Sequence, residues 1–455
     1  MPVSTCSKIL KIADNNSNKP FETSDMEQNE LTATPTPSER RSLFDASQIV
    51  QNTKGDQVIW GLVVLLTLVS LLAVYSSTGL LAYKKYKGNT EIYLIKQVGF
   101  IIFGIAMVYF AHRVNYKYYS RIAQIAFLIS IPLLIYTLFF GVKMNEGSRW
   151  IKLPIINMTL QSSDFAKLAL FMYLSRGISK RQDQIKDLWK GYLPLIGPVV
   201  LVCGLIAPAN LSTALLLGAS CLLLLFIGRA SIKHLMATVG LALIPLVMLI
   251  MAAIAQHKGG EKDSGETAPV VQAGSALTGR VNTWVKRVEN FIYGSEDVND
   301  DAYQVNQAKI AIARGGLLGV GPGRSTTRDF LPQAYNDFIY AIIIEEYGIA
   351  GGAFILFVYL VFLYRCIRIF KRCPYAFGAF LALGLSFTLA IQAMANMAVT
   401  VNLFPVTGVT LPLVSMGGTS FIFTCISIGI ILSVARHVEQ QEGQSTSPTP
   451  ESLPA

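Results

Sequence analysis

Val58–Ser77 reads VIWGLVVLLTLVSLLAVYSS, twenty residues without an acid or a base. At 1.5 Å of rise per residue such a helix is about 30 Å long, the thickness of a bilayer's hydrocarbon core. It carries no polar stripe to turn toward water, so its surroundings must be apolar on every side. Leu235–Ala255 is a second block of this kind. Extending the reading along the chain gives about ten spans, near 58–82, 92–111, 122–140, 164–178, 193–207, 211–227, 235–255, 337–364, 376–402 and 411–435. The fifth and sixth are joined by a tight turn at Pro208-Ala209-Asn210. The expected fold is therefore an all-α integral membrane protein of about ten transmembrane helices. One long extracytoplasmic loop, residues 257–336, separates the seventh span from the eighth.

The totals agree. Of 455 residues, 52% are hydrophobic and 15% charged, against about 25% charged in a soluble domain. Residues 1–55 and 438–455 are rich in Ser, Thr, Glu and Pro and read as disordered tails, the first without the marks of a signal peptide. The domain between them covers 56–437. Lys and Arg gather in alternate loops: Arg113, Lys117 and Arg121; Lys180, Arg181, Lys186 and Lys190; Arg229 and Lys233; Arg368, Lys371 and Arg372. Those loops, and with ten spans both tails, should face the cytoplasm, which puts residues 257–336 outside. Lys84, Lys85 and Lys87 oppose this assignment and are outvoted. The net charge of +10 is thus explained by topology, and nucleic acid is not an expected partner. Six cysteines, none in the long loop, give no disulfide framework there, and the four histidines are too scattered for a metal site.

Polar residues concentrate in four places. Gly147–Lys152 and Gln161–Lys167 form the first; Asp164 and Lys167, three apart, share one face at the start of the fourth span. An ionisable pair there fits either a functional site or a salt bridge that fixes a helix end. The second is the long loop, which opens with linker-like sequence over 258–274. Arg280, Lys286 and Arg287 then precede Glu296, Asp297, Asp300 and Asp301, and Tyr303-Gln304 follows. Cations beside carboxylates suit phosphate binding next to a general base, or merely a solvated loop. The third is Arg314-Gly315-Gly316 through Gly319-Val-Gly321-Pro-Gly323-Arg-Ser325, whose glycines let backbone approach a ligand or a neighbour. It lacks the Gly-Lys-Ser/Thr ending of a nucleotide loop. Glu345-Glu346 follow inside the eighth span and need partners or water. The fourth runs from Asn402 to Ser420, where two prolines and three glycines, Gly408, Gly417 and Gly418, break an apolar region. Irregular backbone at that depth must be buried in protein or line a cavity.

Together these stretches resemble the SEDS family (shape, elongation, division and sporulation). Leu331-Pro-Gln-Ala-Tyr-Asn-Asp-Phe-Ile-Tyr-Ala341, continuing to Glu345-Glu346-Tyr347-Gly348, is similar to LPEAHTDFIFA…GEELG. Thr407–Ser420 is similar to TGITLPFLSYGGSS, and Arg149–Lys167 to RWI-L…QPSEFAK. The resemblance spans residues 58–436. It departs where QPSE becomes Gln161-Ser162-Ser163-Asp164, where the PDLGT turn becomes Pro208–Thr213 and loses its acid, and where D-P-x-G-x-G-Y-Q becomes Asp297–Gln304 without the proline and both glycines.

The resemblance implies a peptidoglycan glycosyltransferase that polymerises lipid II, a disaccharide-peptide on undecaprenyl pyrophosphate, beside a class B penicillin-binding protein and other division proteins. It implies a general base at Asp297, six residues before Tyr303, with Asp300 and Asp301 as rivals. It implies a substrate-facing set of Arg280, Lys167, Arg149, Gln161, Asp164, Glu346, Ser415, Gly417 and Gly418. A divalent cation, Mg or Mn, could assist, although no ligand set is legible. The glycine spacing before Ser325 follows the division-type members of the family, which implies a site at the septum of the bacterial inner membrane. Two rivals stand beside this reading. A lipid II flippase would depend on Lys96, Asp164, Lys167 and Glu346 more than on Asp297, and a scaffold would need none of the outer-loop charges. An elongation-type polymerase is the variant within the family.

Overall fold

The computed structural model describes residues 55–79, 91–144, 147–152, 159–260, 283–285, 287–289, 291–292, 300–331 and 334–445. The helices are α1 (Gln57–Ser77), α2 (Glu91–Arg113), α3 (Tyr116–Phe140), α4 (Ser162–Lys180), α5 (Leu193–Ile206), α6 (Leu211–Ile227), α7 (Ile232–Gly260), α8 (Asp300–Gly315), α9 (Ile339–Arg372), α10 (Ala376–Thr400) and α11 (Thr419–Ser445). A π-helical turn, Leu188–Tyr192, leads into α5. Among the described residues, seven helical segments are long and apolar enough to cross a membrane: α1, α2, α3, Leu188–Ile206, α9, α10 and Thr419–Glu442 of α11. The other three expected spans coincide with α4, which is more polar, and with the shorter apolar stretches Leu211–Ile227 and Ile232–Pro245. The protein is a multi-pass membrane protein.

Burial separates centre from rim. The apolar windows of α10 and α11 are 83% and 72% buried, that of α2 only 22%. Ile102, Phe110, Leu128 and Phe139 of α2 and α3 point outward, as lipid-facing side chains should. At the centre, α4, α6 and α10 meet so closely that a Cβ on Gly384 would press on Phe171 and Leu224.

Polar clamps hold the two ends of the bundle. At one end Asp56 caps α1, accepting from Val58 N at 3.0 Å and Ile59 N at 3.3 Å, and its second oxygen takes Arg365 of α9 at 2.7 Å. Gly55 N donates to Glu439 of α11 at 2.7 Å. The opposite end carries the irregular segments and the candidate site.

The structure departs from the expected architecture in two places. Residues 142–161 are not plain loop. Val142–Met144 (β1), Gly147–Lys152 (β2) and Thr159–Gln161 (β3) form a three-stranded antiparallel sheet, with Trp150 paired to both Val142 and Gln161. The chain is therefore not purely α-helical. Nor is 257–336 one loop. α7 continues to Gly260 through the start of the expected linker, and Asp300–Gly315 is a sixteen-residue helix. Ala308 and Ala311, three apart and fully buried, give α8 an apolar face that joins Phe338, Ala341 and Ile342 of the α9 region.

Candidate functional site

The site grows from three interruptions in regular structure. The first is the start of α4. Its N-cap residue Gln161 places no side-chain acceptor on the first turn; its amide donates instead to Ser163 Oγ at 3.1 Å. Gln161 N donates to Thr419 Oγ1 at 3.3 Å, and Thr419 Oγ1 donates to Thr159 O at 3.0 Å. This ties the β3–α4 junction to the start of α11. One turn on, Asp164 and Lys167 lie on the face their spacing predicts, with Lys167 Nζ 2.7 Å from Asp164 Oδ1. Asp164 is 4% exposed, and neither carboxylate oxygen is aligned for a hydrogen bond. A buried carboxylate served by one lysine and, among the described residues, by no other donor is under-served by its surroundings.

Space adjoins that pair. A partly open cavity of about 360 Å³ is bordered by Asp164, Lys167, Gln392, Ser420 and Thr424, between α4, α10 and α11. A second of about 270 Å³ is bordered by Lys167, Gln392, Thr388, Thr213 and Ser220, toward α6. Lys167 and Gln392 stand in the wall between the two, joined by Lys167 Nζ donating to Gln392 Oε1 at 3.4 Å. Gln392 Nε2 donates in turn to Thr410 O at 3.0 Å.

The second interruption is the stretch from Asn402 to Gly418. Asn402 and Leu413 take left-handed φ of 60° and 62°, as do Gly408 and Gly418 at 61° and 53°. Its backbone groups find partners in neighbouring elements. Asn396 Nδ2 donates to Val409 O and Asp337 O, each at 2.7 Å. Ser70 Oγ donates to Val414 O at 2.8 Å, and Tyr359 to Pro412 O. Ser415 Oγ accepts from Leu411 N at 2.9 Å and donates to Asn336 O at 2.6 Å. Met416 N donates to Tyr335 O at 3.0 Å. Burial, with Asp337 nearby, pushes the Tyr335 hydroxyl above its usual range. Gly417 and Gly418 lie between this staple and Thr419, which reaches Gln161.

The third interruption is in α9. Gly348 breaks the helix with φ 73° and ψ −177°. The glycine-rich segment packs backbone against backbone into that break: Val320 N and Gly321 N donate to Glu345 O and Glu346 O at 3.0 Å each, and Ile349 N to Gly316 O at 2.9 Å. A Cβ on Gly319 or Gly348 would overlap a main-chain carbonyl of the other strand. The glycines serve approach to a neighbour. Glu345 is fully buried and saturated: Ser325 Oγ, Thr327 Oγ1 at 3.0 Å, Thr326 N at 3.2 Å and Thr327 N at 3.4 Å all donate to it. Glu346, 2% exposed, accepts from Ser76 Oγ, while Arg328 donates to Ser76 O at 3.0 Å and Ser76 Oγ at 3.3 Å.

Of the residues singled out in the sequence, Gln161, Asp164 and Lys167 come together, and Ser415, Gly417 and Gly418 adjoin them through Thr419. Glu346 sits in a separate network with Ser76 and Arg328. Arg149 lies on β2, where only its backbone is described. Asp300 and Asp301 open α8, again by backbone alone, and Asp297 and Arg280 lie outside the described residues. Sequence reasoning missed Gln392, Asn396, Ser76 and Arg328. A polar residue inside an apolar run was the available signal for Gln392 and Asn396.

The family model described as "Cell cycle protein", covering FtsW, RodA and SpoVE, matches residues 56–440. A probable peptidoglycan glycosyltransferase FtsW of Trichlorobacter lovleyi is 31% identical over 84% of this chain and 93% of its own. Stage V sporulation protein E of Bacillus subtilis is 30% identical over 85% and 98%. Among solved structures, a chain of a peptidoglycan synthase complex superposes with a TM-score of 0.60 at 22% identity, covering 85% of this chain and 99% of that one. The rod shape determining protein RodA of Thermus thermophilus gives 0.58 at 20%, covering 84% and 97%. Both likenesses extend the shared fold across nearly the whole solved chain. This chain belongs to the FtsW, RodA and SpoVE family of cell cycle proteins.

Proposed function

We propose that this protein is a peptidoglycan glycosyltransferase that polymerises lipid II into glycan strands at the division septum. The observation that carries the reading is its match, over 84% of this chain, to a relative named for that activity. The glycine spacing before Ser325 favours the division role.

In this reading Asp297 takes the proton from the acceptor sugar hydroxyl. The freed oxygen attacks the anomeric carbon of the donor chain, and the bond to undecaprenyl pyrophosphate breaks. A positioned base contributes about 10²–10⁴-fold. Lys167, Arg280 and Arg149 take up the charge that grows on the leaving pyrophosphate. The placement of Lys167 between two cavities supports its part: its ammonium is held by one under-served carboxylate and one amide, and a phosphate oxygen arriving from either side would find it. Among the described residues no group of three His, Cys, Asp or Glu side chains is gathered for a metal ion. The acidic run 296–301, where a divalent cation would be sought, has no described side chains. The partner is a class B penicillin-binding protein, the membrane is the bacterial cytoplasmic membrane, and both tails face the cytoplasm.

The test is strand formation from labelled lipid II by the purified protein, with and without its transpeptidase. Wild type yields polymer, and Asp297→Asn lowers the yield about 10²–10⁴-fold. Polymer from Asp297→Asn at the wild-type level moves the base to Asp300 or Asp301. No polymer from folded wild type with its partner present returns the assignment to the flippase or scaffold, which a parallel lipid-flipping assay separates.

A further inference from the structure

Lys167 hangs on two contacts of unequal strength. Within its own helix, Nζ stands 2.7 Å from Asp164 Oδ1, three residues back. Outside α4, Gln392 Oε1 is, among the described residues, the only acceptor the ammonium reaches, at 3.4 Å. A lysine stem has four carbons and many rotamers. With Asp164 alone, the ammonium would be drawn back along α4 toward the helix start. The amide of Gln392 draws it across toward α10 instead, into the wall between the two cavities.

Gln392 is built to keep that direction. It is buried in α10, the central helix of the bundle. Its Nε2 donates to Thr410 O at 3.0 Å. A carbonyl there can only accept, so it fixes the amide with its nitrogen on Thr410 and its oxygen on the lysine. One turn further along α10, Asn396 donates to Val409 O at 2.7 Å. The two amides, four residues apart, thus grip consecutive carbonyls of the irregular segment. Thr388, one turn earlier, borders both cavities as well, yet its hydroxyl donates to Gly384 O within α10 at 2.9 Å. Of these three polar residues of α10, Gln392 alone reaches Lys167.

We infer that Gln392 is a positioning residue: its amide, anchored on Thr410 O, holds the Lys167 ammonium where charge grows on the leaving pyrophosphate. This rests on the proposed role of Lys167 in strand synthesis. Gln392 acts through the lysine and needs no contact with the substrate. The longer of the two contacts is the one that yields. An arriving phosphate oxygen displaces a neutral amide at 3.4 Å, while the charged pair at 2.7 Å stays in place. A neutral oxygen suits that task, because a second carboxylate would compete with the phosphate for the ammonium.

The experiment is a double-mutant cycle on strand formation from labelled lipid II, by the full-length protein with its transpeptidase. It compares wild type, Lys167→Met, Gln392→Met and the double variant, with the unfolding midpoint of each in the same detergent. We expect Gln392→Met to lower kcat about tenfold, with KM for lipid II and the midpoint near wild type. In the Lys167→Met background the same change should cost nothing more, since it acts through the ammonium. Gln392→Asn keeps an amide but draws its oxygen back from a contact already long. It should lose kcat as well, and it stands in if Gln392→Met does not fold. An equal loss from Gln392→Met with and without Lys167, or a raised KM at wild-type kcat, overturns the inference. So does a lowered midpoint with synthesis per folded molecule kept, or failure of both Gln392 variants to fold. Lys167→Met at wild-type activity overturns the lysine's role and this inference with it, as does no polymer from folded wild type. Loss in Lys167→Met with none in Gln392→Met overturns this inference alone.

Discussion

Glu345 and Asp164 are both carboxylates inside membrane helices, and both are buried below 5% exposure, yet their surroundings are opposite. Glu345 accepts from two hydroxyls and two backbone N–H groups of a single segment, Ser325–Thr327, with Arg314 Nε 3.9 Å away. Every donor it holds belongs to the fold, and no cavity described above reaches it. Asp164 has one lysine, no other donor among the described residues, and an adjoining cavity. Burial alone therefore does not mark a functional carboxylate in a membrane protein. What distinguishes the two is whether the protein has already satisfied the group. Glu345 fastens the glycine-rich segment into the α9 break; Asp164 holds a cation beside empty space.

The comparison can be broken most violently at the glycines. Gly319→Ala and Gly348→Ala each force a Cβ into a main-chain carbonyl at φ of 81° and 73°. Overpacking and left-handed strain together cost on the order of 3 kcal/mol or more. Fluorescence-detected size exclusion should show little folded protein; normal yield of either variant would undo the packing account. Next is Asn396→Leu, which strands Asp337 O and Val409 O and should cost about 2–4 kcal/mol, read as a lower unfolding midpoint in detergent. The smallest change sharpens the intermediate case, Glu346. Ser76→Ala removes the hydroxyl between that carboxylate and Arg328 and should cost about 1–3 kcal/mol. If strand synthesis collapses while the unfolding midpoint holds, Glu346 belongs with Asp164 and not with Glu345.

Much of this was legible beforehand, for physical reasons that can be named. A span must be apolar along its length, so Leu211–Ile227 was delimited to the residue and α10 to within two. The facing of Asp164 and Lys167 followed from helical spacing. Three things were hidden. α8 was hidden by a reading of charges: Asp300 and Asp301 looked like loop, while the Ala308–Ala311 face was too small to stand out. The break at Gly348 left no mark in hydropathy, because Ile349 and Ala350 continue the apolar run. The last helix was placed from 411, but Pro412 and the left-handed Leu413 hold residues 411–418 out of the helix until Thr419. The partners of that segment, Ser70, Tyr359 and Asn396, come from three different helices. No local pattern could have joined them.

The most direct measurement takes Lys167→Met and Glu345→Gln through two assays side by side, strand yield from labelled lipid II and thermal unfolding in the same detergent. The account predicts that Lys167→Met lowers strand synthesis by about 10²-fold or more with an unfolding midpoint near wild type. Glu345→Gln should lower the midpoint, with activity per folded molecule largely kept. If Lys167→Met unfolds the protein while Glu345→Gln abolishes synthesis in a stable one, the two carboxylates have been assigned the wrong way round.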